Sequence, residues 1–319
     1  MSTNLAAQTV ISAKAGLIHY AEGDVVLGEK NVAPKFGEYP EMKEMQTLRT
    51  GLGRAEVLLT PGVFLRLAEN SSFRISSNSL VDLRLEVLSG SALIEAAEVT
   101  KESPIAVKAG EYTLEIRKRG LFRLDLSTGM VRAYDGEIMI SSAGQMMTLK
   151  EGRQTSLSTL LAPERFSPEK FSKDTGDAFH RWAGRRSGYL AAANLTAAKR
   201  AYDNGSGWRT SGWQYNPYFG SFTYLPGRGV YVSPFGYSYY SPHNVETVYY
   251  RPAPMLGMQS PNLDAGMRQY PDSGSRGYSG SGGGGYAAAP APSAAPAAAA
   301  APPRSADSGS SRESGGGRR

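Results

Sequence analysis

The feature that most constrains the fold is a run of alternating residues within Arg49–Ile75. Apolar residues recur at every second position on one side of it: Val57, Leu59, Val63, Leu65 and Leu67. Glu56 and Arg66 fall on the other side, and Pro61-Gly62 forms a tight turn between the two segments. The period of two predicts an antiparallel hairpin with one buried face and with Arg66 on the solvent face. Truncating Leu65 to alanine is therefore expected to cost about 2–5 kcal/mol, and truncating Arg66 little.

Similar short segments, separated by glycine turns, continue to about residue 158. The clearest is Leu80–Leu88, where Leu83, Leu85 and Val87 share one side, and Asp135-Gly136 is the strongest turn signal. This pattern predicts an all-β domain over residues 10–158, an antiparallel β-sandwich or β-roll built of hairpins. The charged, proline-containing stretch Glu29–Met45 is predicted to be an exposed loop.

A helical period follows over residues 165–204. Ser167-Pro168 has the residues of a helix start, with a serine cap and proline at the first helical position. The stripe at three-to-four-residue spacing consists of Phe179, Trp182, Arg186, Tyr189, Leu190, Ala193 and Ala197. The pattern predicts one amphipathic helix that docks on the β-domain and is weakened at Gly184 and Gly188.

Residues 205–250 form an aromatic segment with many prolines and glycines. Its candidate ligand-stacking residues are Trp208, Trp213, Tyr215, Tyr218, Phe219, Tyr224, Tyr231, Phe235, Tyr237 and Tyr239. Such rings can stack on sugar rings or on an extended peptide. The alternative, which we favour, is a small hairpin extension whose aromatic core packs on the β-domain.

The two ends of the chain differ from this folded part. Residues 251–319 are rich in proline, glycine, serine and alanine, a composition that predicts a disordered tail. Within residues 1–9, Leu5-Ala6-Ala7 is similar to the cleavage end of a signal peptide, so we hypothesise that the true start lies upstream. No apolar run approaches the roughly 18 residues that a membrane span needs.

The sequence offers no constellation for catalysis, cofactor binding or metal binding. It has no cysteine, and its three histidines, His19, His180 and His243, are far apart and lack ligand spacing. We therefore expect no enzymatic activity, no cofactor and no metal. The formal net charge of +6 is concentrated after residue 172, but the arginines of the tail are diluted by serine and glycine. Nucleic acid is therefore not an expected partner.

Several residues of the first hairpin closely resemble the core motif of the FecR-type domain. They are Thr50-Gly51, Arg54-Ala55-Glu56, Gly62, Leu65-Arg66-Leu67 and Ser71. The resemblance implies a bacterial extracytoplasmic β-module, known best from iron-uptake signalling, with no catalytic residues attached to the family. Signalling members carry an N-terminal segment that holds a sigma factor and then a transmembrane helix. The sequence contains no match to either, so their regulator role is not carried over.

The expectation is thus a non-catalytic, FecR-like binding protein of the bacterial envelope, located in the periplasm or outside the cell. Its expected partner is an envelope protein or a polysaccharide such as peptidoglycan. Two alternatives are binding of a carbohydrate or cell-wall polymer through the aromatic segment, and a signalling role related to FecR-type regulators.

Overall fold

The computed structural model describes residues 15–32, 37–79, 81–99, 103–161, 168–172, 176–205 and 207–249. The signal-peptide hypothesis for Leu5–Ala7 and the disorder predicted for residues 251–319 both lie outside these ranges. Within them, the chain forms nineteen strands and two α-helices.

The strands of the main sheet are β1 (Leu17–Leu27), β2 (Lys30–Asn31), β3 (Thr47–Leu58), β4 (Val63–Leu67), β5 (Ser72–Ser79), β6 (Asp82–Ser89), β7 (Ser91–Ala96), β8 (Ile105–Ala109), β9 (Tyr112–Ile116), β10 (Gly120–Asp125), β11 (Met130–Asp135), β12 (Glu137–Ser142), β13 (Gln145–Lys150), β14 (Arg153–Ser156) and β15 (Glu169–Lys170). The later elements are α1 (Ala178–Asp203), β16 (Gly212–Asn216), β17 (Ser221–Leu225), β18 (Val230–Val232), β19 (Ser238–Tyr240) and α2 (Pro242–Tyr249).

The main sheet has the order β13-β12-β9-β8-β6-β5-β3-β4-β7-β10-β11-β14-β15, and β1 joins it through β3. Its described pairings are antiparallel, as the hairpin pattern predicts, with the exception of the parallel pair β6–β8. The single strand between them in sequence, β7, lies in the other half of the sheet and pairs with β4 and β10. After β7 the chain therefore crosses back to the first half of the sheet, where β8 runs parallel to β6.

The sheet folds around one apolar core. Buried side chains from both halves belong to the same cluster, including Val57 of β3, Leu85 of β6 and Val131 of β11. The all-β class and the rolled arrangement of hairpins are thus confirmed. Leu65 pairs with Val57 across the β3–β4 hairpin and is fully buried, as predicted. The strand predicted at Leu80–Leu88 begins at Asp82 and ends at Ser89.

Two sequence expectations about exposure are wrong. The other face of the β3–β4 hairpin is not open to solvent, because every residue of β4 is buried, Arg66 included. In the stretch Glu29–Met45, Val32 and Met42 are buried and join the core, so this connection is not simply an exposed loop. Alternation alone could not reveal the second layer that covers the hairpin.

The helix begins ten residues later than the Ser167-Pro168 signal predicts. Glu169 and Lys170 are extended and pair with β14. Asp177 caps α1 instead, because its side chain accepts a hydrogen bond from the amide of His180. Ser167 itself lies outside the described residues. The helix ends at Asp203, and neither described helix is long and apolar enough to cross a membrane.

The aromatic segment forms two small antiparallel hairpins, β16–β17 and β18–β19, followed by α2, a helix that the sequence reading did not predict. The hairpins and α1 lie over the outer face of the main sheet. The two glycines that were predicted to weaken α1 instead allow side chains of the β18–β19 hairpin to approach the helix closely. A Cβ atom at Gly188 would lie 2.8 Å from Cζ of Tyr237, and one at Gly184 would lie 3.2 Å from Phe235.

Candidate functional site

The outer face of the main sheet carries a cluster of charged side chains. Register places them together, because Glu56 of β3 pairs with Arg66 of β4, and Glu95 of β7 pairs with Phe64 of β4. Alternation puts these residues on the side opposite to Val57 and the core. They would face solvent in an isolated sheet, but here α1 and the two aromatic hairpins cover them.

Arg66 connects the two carboxylates. Its Nε donates to Oε2 of Glu56 at 2.8 Å, and its Nη1 donates to Oε2 of Glu95 at 2.7 Å. All three side chains are fully buried. Removing one member of such a group leaves an uncompensated charge in a low-dielectric interior, so the three residues are energetically coupled.

The helix adds a second arginine to the cluster. Nη2 of Arg186 donates to Oε1 of Glu56 at 2.8 Å, and its guanidinium carbon lies 4.1 Å from the ring centroid of Tyr20. The neighbouring Ser187 donates from its hydroxyl to Oε1 of Glu95 at 3.3 Å. Consecutive helix residues thus bind the two carboxylates of the sheet.

His19 completes the shell around Glu56. Its Nε2 lies 3.0 Å from the amide nitrogen of Phe222, which can only donate, so Nε2 is the acceptor and Nδ1 carries the proton. That Nδ1–H donates to Oε1 of Glu56 at 3.1 Å. Burial lowers the pKa of His19 from its ordinary value, and the attraction of Glu56 only partly offsets this. His19 is therefore a neutral link between the sheet and β17.

The charges within the cluster fix its protonation. Burial alone would raise the pKa of Glu56, but the guanidinium groups of Arg186 and Arg66 outweigh it and hold that pKa well below the ordinary value. Although burial acts in the opposite direction, Glu56 and Glu95 raise the pKa of Arg66. Glu56 and Arg66 are thus both charged and mutually compensated.

The β18–β19 hairpin also contacts this cluster. The hydroxyl of Ser233 donates to Oε1 of Glu95 at 2.5 Å, and the hydroxyl of Tyr239 donates to the carbonyl oxygen of Ser187 at 2.9 Å. Burial, with the nearby Glu95, raises the pKa of Tyr239 well above its ordinary value. The sheet, the helix and the second hairpin therefore meet at one carboxylate.

A further ion pair holds the start of the helix. Nη1 of Arg123, on β10, lies 2.7 Å from Oδ2 of Asp177, the residue that caps α1. Nε of the same guanidinium donates to Oγ of Ser91 at 2.8 Å. This contact explains why the helix starts at Ala178, next to the sheet.

Asn194 in the middle of α1 fastens both aromatic hairpins. Its buried amide nitrogen donates to the carbonyl oxygens of Tyr224 at 2.8 Å and Tyr240 at 3.0 Å. Its oxygen accepts from the amide of Tyr240 at 2.7 Å. One side chain therefore makes three bonds to the backbone of β17 and β19.

The ten aromatic residues predicted as a stacking surface divide by exposure. Four are buried: Trp213, Tyr224, Tyr231 and Tyr239. Four are partly buried: Trp208, Tyr215, Phe219 and Phe235. Two are exposed: Tyr218 and Tyr237. The buried rings pack between the hairpins and the sheet, as in the contact of Trp213 with Phe64 at 5.1 Å between centroids. Stacking of a ligand on the remaining rings stays a prediction.

Sequence reasoning missed the charged cluster, although a signal for it exists. Leu58, Phe64, Leu93 and Leu121 are apolar, although they lie on the same face of the sheet as Glu56, Arg66 and Glu95. Continuous apolar runs of this kind indicate strands buried on both faces. The described residues contain no group of three or more acidic, histidine or cysteine side chains arranged to hold a metal ion.

Comparison with known protein families covers one part of the charged cluster. Residues 46–139 match the family model described as FecR protein. The resemblance predicted from the first hairpin is therefore confirmed, and it extends from β3 into β12, so the matched stretch contains Glu56, Arg66 and Glu95. Arg186 and the aromatic hairpins lie beyond the FecR match.

Two solved structures are also similar to this chain. Both are crystal structures of a candidate anti-sigma factor from Parabacteroides distasonis ATCC 8503, at 2.50 and 1.65 Å resolution. They share 13% and 12% sequence identity with this chain, cover 44% of it, and have TM-scores of 0.33. The chain spans 64% and 65% of their lengths. No curated protein matches the sequence.

Proposed function

We propose that this protein is a non-catalytic, FecR-like binding protein that works outside the cytoplasm and has a regulatory role at the bacterial envelope. The observation that carries the proposal is the FecR match over residues 46–139. The sheet that contains these residues is covered by α1 and the two aromatic hairpins, which together we call the cap. The charged cluster supports a structural role for the cap, because its members bind one another beneath the helix and the hairpins. Binding then falls to the exposed surface of the cap and to its junction with the sheet.

The expected partner is a protein or polysaccharide of the envelope. Tyr218 is suited to report it, because it is 85% exposed at the turn between β16 and β17. Val81, 70% exposed next to β6 on the main sheet, provides a matched control position. A photo-crosslinking amino acid at each position, in the full chain expressed in its native bacterium, compares the two surfaces.

The proposal expects a discrete crosslinked adduct from position 218 and none from position 81. It also expects the protein to be degraded by protease added to cells with a permeabilised outer layer, while a cytoplasmic marker stays intact. Recovery of the protein with the cytoplasmic marker would contradict the extracytoplasmic assignment. The absence of any adduct from position 218 would contradict binding through the exposed surface of the cap.

The regulatory role has its own test. Deleting the gene is expected to change the transcription of a small set of genes, and the full chain supplied in trans should restore it. The variant Asn194→Ala, which loosens both hairpins from the helix, should restore it less well than Arg185→Ala, a change at an exposed helix position. Unchanged transcription after deletion would contradict the regulatory role and leave binding to be judged by crosslinking.

A further inference from the structure

Two neighbouring cavities lie where the cap meets the main sheet. The first has a volume of about 670 Å³ and is lined by Arg119, in the connection between β9 and β10, and by residues of both hairpins. The second has a volume of about 600 Å³ and lies beside the end of α1. Arg209, Gly227 and Arg228 line both, so the cavities are adjacent and form what we call the junction cleft. Each volume is in the range of small-ligand sites.

The junction cleft carries unpaired positive charge. Arg119, Arg209 and Arg228 are exposed, and none has a hydrogen bond or ion pair with another described residue. Elsewhere in the described chain most arginines do have such a partner, as Arg123 and Arg186 illustrate. Free guanidinium groups in a concave site are suited to bind carboxylates through paired hydrogen bonds.

Glu98 is the acidic side chain among the described residues of the wall, and it does not neutralise this charge. Glu98 accepts a hydrogen bond from the hydroxyl of Tyr224 at 2.9 Å, which holds the carboxylate at the side of the first cavity. The three arginines together exceed its single negative charge. The cleft is therefore electropositive and attracts an anionic ligand.

Two aromatic residues that line the same cleft carry buried donors without a partner among the described residues. Tyr231 borders the first cavity, is nine-tenths buried, and has a hydroxyl with no partner among the described residues. Trp208 borders the second cavity, and its buried Nε1 is likewise without a partner in the described chain. Polar groups in such positions are normally satisfied, so each marks a place where a ligand hydroxyl could accept a hydrogen bond after a small side-chain movement.

From these observations we infer that the junction cleft binds an acidic oligosaccharide, a ligand that joins carboxylates to hydroxyl-bearing rings. Carboxylates meet Arg119, Arg209 and Arg228, ring faces lie against Trp208, and hydroxyl groups meet the unpaired donors. An acidic peptide offers the same carboxylates, but it has no sugar ring to lie against Trp208 in the second cavity. The inference deepens the proposed binding function and rests on it, while assigning a site and a ligand class of its own.

The test is titration calorimetry of the full chain with a hexamer of galacturonic acid. The neutral probe is a hexamer of β-linked glucose, and the peptide probe is a hexamer of glutamate. We expect the acidic glycan to bind at least about tenfold more tightly than either, and Arg209→Ala and Arg228→Ala each to weaken it about tenfold. Tyr231→Phe, which removes only the hydroxyl, should weaken it severalfold. Arg185→Ala, an exposed arginine on α1 outside the cleft, should leave it unchanged.

Several results would overturn the inference. Equal affinity for the neutral glycan would show that the arginines do not select a negatively charged ligand. Equal or tighter binding of the glutamate hexamer would indicate a peptide site. A loss with Arg185→Ala as large as that with Arg209→Ala would indicate non-specific attraction. Absence of binding to the acidic glycan, with crosslinking at position 218 intact, would reject the cleft and retain the proposed function. Melting curves establish that each variant is folded.

Discussion

Arg186 of α1 and Glu56 of β3 are joined by two hydrogen bonds, of 2.8 and 3.2 Å, although 130 residues separate them in sequence. Glu56 is also bound by Arg66 and His19, so one carboxylate accepts hydrogen bonds from β4, from β1 and from α1. The helix cannot leave the sheet without exposing or unpairing this charge. The cap and the main sheet are therefore expected to unfold together.

The first prediction concerns Arg66. Replacing it with alanine leaves Glu56 and Glu95 buried with fewer partners, so Arg66→Ala should lower the free energy of unfolding by about 3–5 kcal/mol. This reverses the small effect expected from alternation alone. Urea unfolding measures the difference, with Arg84→Ala as the control, because Arg84 forms an exposed ion pair worth at most about 1 kcal/mol. Similar losses for the two variants would contradict the coupling of the buried cluster.

The second prediction concerns the core on the other face of the same hairpin. Leu65 is fully buried, so Leu65→Ala should lower the free energy of unfolding by about 2–5 kcal/mol. Leu52 lies in β3 and is 80% exposed, so Leu52→Ala should change it by at most about 0.5 kcal/mol. The midpoint of urea denaturation separates the two. A stable Leu65→Ala variant would show that the core does not depend on this register.

Local pattern was enough to predict the inner face of the sheet. The period of two in β3, β4 and β6 identifies Val57, Leu65 and Leu85 as core residues, and the glycine turns identify the hairpins. The helical stripe likewise predicts Phe179 and Trp182 as docking residues, and both are buried. These features depend on neighbours within a few residues, which the sequence displays directly.

The outer face could not be predicted in the same way. Whether Arg66 is exposed or buried depends on α1 and the two hairpins, which cover it but are far away in sequence. The helix start was misassigned for a similar reason. Asp177 is selected as the cap by its ion pair with Arg123 of β10, a partner that a local capping signal at Ser167-Pro168 cannot reveal.

The third prediction concerns the attachment of the aromatic hairpins. Asn194→Ala removes three hydrogen bonds to the backbone of Tyr224 and Tyr240 and leaves buried polar groups unpaired. At about 1–3 kcal/mol for each buried group left unsatisfied, the loss should exceed about 2 kcal/mol. Hydrogen exchange should show the amides of β17 and β19 losing protection, while Arg185→Ala leaves them unchanged. Protection retained in Asn194→Ala would show that ring packing alone holds the hairpins.

The last prediction concerns pH. In the folded protein burial lowers the pKa of His19 below its ordinary value of 6.5, so below pH 6.5 the unfolded chain binds a proton that the folded chain binds less readily. The stability contributed by neutral His19 is thus fully present above pH 6.5 and is lost as the pH falls through the folded pKa. His19→Gln keeps a donor for Glu56 and an acceptor for Phe222 without titrating, so its free energy of unfolding should fall less steeply between about pH 7 and 5. His180, whose pKa burial also lowers, contributes to the slope that remains in His19→Gln. If the free energy of unfolding fell equally steeply with pH in His19→Gln and in the wild type, His19 would not be neutral in the folded protein.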